Sequence, residues 1–475
     1  MKKILKYSVY LFAGVLISSG CKKQVDVQPT DLILPEFAFT TVDNLQAGLN
    51  TAYQRYDGEN TAYIASLLSD EARYGRDNAG QGQFTFRWQY GQDATTGGEV
   101  TQGWRTFYSM IAACNIVLDN IDKVFAVNSA DSARKIQIRA QALGLRALAH
   151  FELHERYSKG IYNPTELSVP FVSSFIDPIS APTPKRDTSV MVLSRIQSDL
   201  RLASSLMGAT TPANFTDVVL NKLNITALQA RISLYKREWQ KAIDSATVVI
   251  NSGIRPLGSS AQFAGIWSDA NLTSEVLFRT KRNSAASSLG SLFTTTLNGV
   301  YFSPSIKLRG MYAAGDIRPS NYFAFFAPNT IPENWVVFKY FQSALGGKIN
   351  DFKGMRIPEM YLIRAEALIE LSGDGNAGTP DLITLRTARS AGAVPVFADK
   401  TAGINFVLDE RMRELCFEGF RFFDLKRKGL GVDRNPLDVE SSTWLTLPAG
   451  NYRFALPIPV AEIQANPNVI QNQNY

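Results

Sequence analysis

The chain has 475 residues (52.5 kDa), of which 45% are hydrophobic and 19% charged, a balance that excludes disorder, collagen-like repetition and a disulfide-stapled miniprotein. The formal charge of +6 falls to +3 once Lys2, Lys3 and Lys6 are set aside, leaving 46 basic against 43 acidic residues. Without dense Lys/Arg clusters to displace phosphate counterions, nucleic acid is excluded as a partner.

The first element is a leader. Lys2, Lys3 and Lys6 precede the apolar run Val9 to Ile17, which is followed by Ser18, Ser19, Gly20 and Cys21. An apolar run of that length rises only ~14 Å as a helix, short of a ~30 Å hydrocarbon core, so residues 1–20 read as a secretory signal and not as a membrane span. A signal that stops at Cys points to bacterial lipoprotein processing, with the Cys21 thiol as lipid attachment point. Ser18 stands where Leu is usual, and plain secretion is the alternative. Residues 21–35 are polar and Pro-punctuated, a tether between lipid and a body spanning 36–475.

Helical periodicity begins at Val42, where Asp43-Asn44 is positioned to cap a helix through Leu45, Leu49 and Tyr53. Helices over Trp104 to Ile121 and Ser132 to Tyr157 follow. In the second, Ile136, Ala140, Leu143, Ala147 and Phe151 form one apolar face. Ser158 to Asp187 holds five prolines and reads as a rigid crossover. Leu223, Ala227, Ala230 and Leu234 repeat the helical step, and Trp239 to Ile243 opens a partner helix ending near Asn251-Ser252-Gly253. Tyr361 to Leu371 and Ile404 to Lys428 are further members. Small Ala residues among large apolar ones suit close packing of tetratricopeptide-like hairpins. The predicted fold is mostly α: four degenerate hairpins with long irregular, loop-rich insertions and no regular repeat.

Two insertions are aromatic. Seven Gly lie between Gly75 and Gly103, together with Tyr74, Phe84, Phe86, Trp88, Tyr90 and Trp104. Between 261 and 340, 14 of 80 residues are aromatic, against 11% of the whole chain. Long aperiodic loops inside a compact protein are usually functional, which makes about 70–105 and 261–340 the expected ligand-binding loops.

Enzyme templates fail. The chain lacks a Gly-x-Ser-x-Gly elbow and a Walker loop, and no cofactor motif survives inspection. Gly373 to Gly378 matches Gly-x-Gly-x-x-Gly but follows a predicted helix and not a strand, so it reads as a helix C-cap and turn. His150 and His154 share one helix face at a metal-compatible spacing; no Cys or further His completes a shell, although a carboxylate could, and structural histidines are favoured. Glu410, Glu414, Glu418 and Asp424 crowd one segment with Arg411, Arg413, Arg421 and Arg427. A neighbouring Arg for every acid denies the raised pKa a general acid needs, so this is an internal salt-bridge lattice. Cys114 and Cys416, set in apolar patterns, read as buried thiols, although one disulfide is arithmetically possible.

The residues then resemble a known family. Cys21-Lys22-Lys23, the run Phe39 to Leu45, the helix Arg146 to Leu153, Tyr361 to Leu368, Asp409 to Leu415 through Phe423 to Arg427, and the ending Leu456-Pro457-Ile458-Pro459 with Glu462-Ile463 and Asn466-Pro467-Asn468 are similar to the SusD/RagB family of Bacteroidetes nutrient-binding lipoproteins. His150 stands where Tyr is more usual. The resemblance implies an outer-membrane, lipid-anchored, surface-exposed protein without catalytic activity. It would capture a glycan, or in some members a peptide, as a lid on a SusC-like TonB-dependent transporter. A helical scaffold for protein partners and a surface hydrolase are the rivals. By the same resemblance Asp70, Arg76, Trp88, Tyr90, Tyr301 and Trp335 fall in the two regions where starch-binding members carry aromatic platforms and polar partners. Trp88 suits core packing about as well as stacking, and Trp335, followed by Val336-Val337-Phe338, leans towards the core.

Overall fold

In a computed structural model the described residues are 38–160, 162–176, 183–282, 289–294, 299–325, 335–343 and 346–475. The leader, Cys21 and the tether lie outside them. Helices α1 (Val42–Gln54), α2 (Gly58–Leu68), α3 (Gly98–Asn120), α4 (Ser129–Tyr157), α5 (Ser189–Leu206), α6 (Lys222–Tyr235), α7 (Trp239–Asn251), α8 (Ser260–Trp267), α9 (Ile357–Ser372), α10 (Thr379–Ala388), α11 (Lys400–Leu415) and α12 (Arg421–Lys428) carry the fold. Strands β1 (Ala72–Tyr74), β2 (Val276–Thr280), β3 (Phe302–Pro304), β4 (Phe323–Phe325), β5 (Trp335–Val337), β6 (Phe352–Arg356), β7 (Val432–Asp433) and β8 (Thr446–Leu447) form antiparallel pairs β1–β3, β2–β6, β4–β5 and β7–β8.

The helices pair as α1/α3, α4/α5, α6/α7 and α9/α11; α6/α7 is the expected pair, whereas α4, expected to pair with α3, also packs on α5, a helix the sequence reading did not anticipate. They stack in chain order: α3 also packs on α4, α5 on α6, and α7 on α9. Ala140, Leu143, Ala147 and Phe151 are buried along α4, and Leu223, Ala227, Ala230 and Leu234 along α6, so small residues do sit at the crossings. Ile136 departs from the expected face. Burial of α4 begins at Ile138, leaving Ile136 in the overhanging first turns at 45% exposure.

Two local predictions are corrected. Thr41 caps α1: its hydroxyl accepts from the Asn44 N–H while the Asn44 side chain accepts from the Thr41 N–H, a reciprocal box that satisfies two otherwise orphaned donors. Residues 404–428 are not one helix. Backbone φ of +60° at Phe417 and +96° at Gly419 breaks the run into α11 and α12. By contrast, α9 ends as expected on Gly373 at φ +78°.

A main core runs through the stack and a smaller one lies between α9, α10 and α11. Cys114 and Cys416 are buried free thiols, each pushed up to about 12 by burial. Among the described residues no helix is long and apolar enough to cross a membrane.

Candidate ligand-binding face

Pairing of β1 with β3 joins the two aromatic insertions. Gly75 N donates to the Tyr301 carbonyl at 2.8 Å, and Val300 N donates to Asp77 Oδ2 at 2.9 Å. A Cβ at Gly75 would meet the Val300 carbonyl oxygen at 2.2 Å, so only glycine allows this approach. Arg76, exposed and paired with Asp77 at 3.1 Å, is thereby set beside the half-buried Tyr301. Strand β5 lies against β3 and brings in Trp335, half-buried, edge-on to Phe325 with ring centroids 5.5 Å apart and with the Arg309 guanidinium 5.0 Å from its ring. Three of the six expected residues, Arg76, Tyr301 and Trp335, thus belong to adjoining strands and turns with ring or guanidinium surface still open.

The other three are corrected. Trp88 is 4% exposed and donates from Nε1 to the Leu68 carbonyl at 3.0 Å. Its ring face is covered by the Arg434 guanidinium, 3.9 Å away, which lies 4.0 Å from the Phe86 ring as well. Arg434 donates to the carbonyls of Leu67, Ser69, Phe86 and Trp444, pinning the first insertion to the C-terminal strand pair. The tryptophan is indeed a stacking platform, but for an internal arginine. Tyr90 is buried, with its hydroxyl donating to the Arg453 carbonyl at 2.6 Å. Asp70 is buried between Arg421 at 2.7 Å and Lys307 at 2.6 Å; burial opposes its ionisation, and the two cations outweigh burial and hold it well below the usual carboxylate range. Side chains whose faces and polar atoms are consumed internally have none left for a ligand.

The sequence reading missed a polar cleft of about 570 Å³ beside this face. Asp57, Glu59 and Tyr63 of the α1–α2 region, Gln102 of α3, Gln81 of the first insertion and Arg282 of the second all line it. Arg282 Nε donates to Glu59 at 2.7 Å and Gln102 to Asp57 at 3.2 Å, which leaves planar carboxylate, amide and guanidinium groups arrayed around the opening. Tyr63 connects cleft to ridge: its ring packs on Phe293 and Phe302, and Tyr301 N donates to the Phe293 carbonyl. The available signal was Asp57-Gly58-Glu59-Asn60, a polar cluster opening a helix buried at every position.

The acids of the α11–α12 segment and their neighbours Glu275 and Glu366 are held by arginines. Arg356 contacts Glu275, Glu414 and Glu418; Arg389 contacts Glu275 and Glu414; Arg318 contacts Glu410 and Glu414, all fully buried. Burial alone would raise Glu410, yet Arg318, Arg413 and Arg386 hold it at about 2, and Arg427 holds Glu366 likewise at about 2. Carboxylates so fixed are poor proton donors. His150 donates from Nδ1 to the Arg146 carbonyl and accepts from Val172 N, with its ring stacked on Phe171 at 4.0 Å. Burial lowers both His150 and His154 to about 3, so both are neutral packing groups.

Fold and face together define a degenerate tetratricopeptide-like scaffold with its long insertions gathered on one side. A family described as the SusD family matches residues 331–475, and one described as starch-binding associating with outer membrane matches residues 25–234. A SusD-like protein of Formosa agariphila is 24% identical over 98% of this chain and 99% of its own length. The starch-binding protein SusD of Bacteroides thetaiotaomicron is 32% identical over 26% of this chain and 22% of its own. A SusD superfamily crystal structure from Bacteroides thetaiotaomicron superposes with a TM-score of 0.79 at 25% identity, covering 92% of this chain and 100% of that one. Over residues 25–234 and 331–475 the chain is thus similar to SusD-type families, and over nearly its whole length to SusD-like proteins.

Proposed function

We propose that this protein is a surface-anchored, non-catalytic capture protein that binds an extracellular glycan on the face built by its two insertions and delivers it to a SusC-like TonB-dependent transporter. The observation that carries the reading is the convergence of both insertions: Arg76, Tyr301 and Trp335 present flat surfaces next to a cleft lined by amide, carboxylate and guanidinium groups. A sugar ring offers an apolar C–H face for stacking while its hydroxyls need planar polar partners, and both are supplied within one region. The relative described as starch-binding and the family description of outer-membrane association support the same direction. The anchor would be an acylated Cys21 and the tether residues 22–35.

The test is to incubate purified Lys22 to Tyr475 with a panel of glycans and peptides and to follow binding and cleavage together. Saturable glycan affinity without product release is expected. Peptide-selective binding would shift the ligand class, and product release would overturn the non-catalytic reading.

A further inference from the structure

The turn between α3 and α4 carries, among the described residues, the most exposed closely spaced pair of large apolar side chains: Phe125 at 80% and Val127 at 78% exposure, with Ile136 of α4 at 45%. Single exposed apolar residues are ordinary, and Val396 at 90% is one; a clustered pair at a hairpin tip is not. The same tip is where the described chain begins. The Phe39 ring lies over Gly48 of α1 beside Val117 in the last turn of α3, and Asp43 accepts from Arg134 in the first turns of α4 at 2.7 Å. Cys21 precedes Ala38, the first described residue, by 17 positions. A chain of that length reaches at most ~60 Å. An acyl group on Cys21 therefore keeps this end of the molecule within that reach of the bilayer.

We propose that the α3–α4 turn seats Phe125 and Val127 at the headgroup–acyl boundary of the outer membrane and acts as a second contact beside the lipid anchor. The inference rests on the anchored reading above. Charge does not oppose it: Arg134 pairs with Asp43 and Asp131, and Arg139 with Asp122. An apolar contact added to an acyl anchor also fixes which face of the protein turns outward, which a single attachment point does not.

The test uses the acylated full-length protein in phosphatidylcholine vesicles with brominated acyl chains, free of other proteins. A fluorophore is placed on Ala126→Cys, and on Val396→Cys as control; Cys114 and Cys416 are buried, and the Cys21 thiol is occupied by lipid. The label at 126 should lose most of its emission to the bromines while that at 396 keeps it. Adding Phe125→Ser and Val127→Ser should restore emission at 126 with the anchor unchanged. An unquenched 126 in protein whose Cys21 is acylated by mass spectrometry would overturn the tip contact and leave the anchor standing. Equal quenching at both sites, or quenching that survives the double substitution, would also overturn it. An unacylated Cys21 in the native protein would remove the anchored reading and this inference with it.

Discussion

Trp88 and Trp335 each lie under a guanidinium but differ in burial, Trp88 at 4% exposure and Trp335 half-buried, and that difference predicts opposite phenotypes. Trp88→Ala removes one side of the Arg434 sandwich and opens a cavity between the first insertion and the C-terminal strands, with an expected loss of ~3–5 kcal/mol of stability. Trp335→Ala should scarcely alter stability and should weaken glycan binding by on the order of 1 kcal/mol or more. Urea unfolding and calorimetric titration of both variants separate the two outcomes; a Trp335→Ala protein that unfolds early yet binds normally would place that ring in the core. Glu71 predicts a pH effect. Burial pushes it up to about 7; Oε1 accepts from Ser66 and Phe417 N, while Oε2 finds no hydrogen-bond partner among the described residues. Since the folded value lies above the ordinary 4.5, the native state binds the extra proton between the two. Its contribution to stability is full below pH 4.5 and is lost as pH rises through about 7. Glu71→Gln does not titrate, so its stability relative to wild type should improve by on the order of 3 kcal/mol between pH 5 and pH 8. An unchanged difference across that range would reject the assignment.

At the scale of elements, the helices were legible in the sequence because their apolar period is strong, and so were ends such as Gly373, Tyr157 and Asn251, while the α1 cap and the α11–α12 break were not. The α11–α12 break depends on a left-handed Phe417, which no sequence preference announces and which tertiary contacts enforce: Phe417 N donates to Glu71, and its ring meets Phe293 edge-on. The candidate face was half legible. Aromatic-rich loops flagged both insertions, but aromatic content does not say which ring is consumed internally, and Arg434, Arg421 and Arg453, which bury Trp88, Asp70 and Tyr90, lie more than 300 residues downstream. The cleft was illegible because its lining comes from separate segments joined only by the fold. Gly75 is the element-level test. Gly75→Ala drives a Cβ into the Val300 carbonyl, an overpacking cost of ~1–3 kcal/mol that this surface turn can relieve only by moving away from Tyr301. Ligand affinity should therefore fall more steeply than melting temperature. Equal losses would mean that the β1–β3 joint serves the core and not the face.

Across the whole molecule, the buried arginine–carboxylate lattice and the proposed membrane tether bear on stability and on delivery respectively. Lattice acids such as Glu410 and Glu366, held at about 2, contribute stability that is present above their ordinary value near 4.5 and is lost as pH falls towards 2, so the α9–α11–α12 region should be the first to open in acid. On the proposed function, delivery depends on the anchor: an acylated Cys21 would confine the protein to a surface, and residues 22–35 would keep it near a partner transporter at an effective concentration far above the bulk value, so that even a weak lid contact would be occupied for much of the time. Cys21→Ala should release the protein from the outer membrane and abolish growth on a cognate nutrient that requires capture. Binding by the purified domain should be intact, because none of the residues on the face or in the cleft lies before Asp57 except the rim positions Gln54, Arg55 and Tyr56. Fractionation, growth and titration on the same variant read the three consequences separately. Retained membrane attachment would overturn lipidation at Cys21 and direct attention to Ser18, whereas released protein with normal growth would show that capture proceeds without the tether.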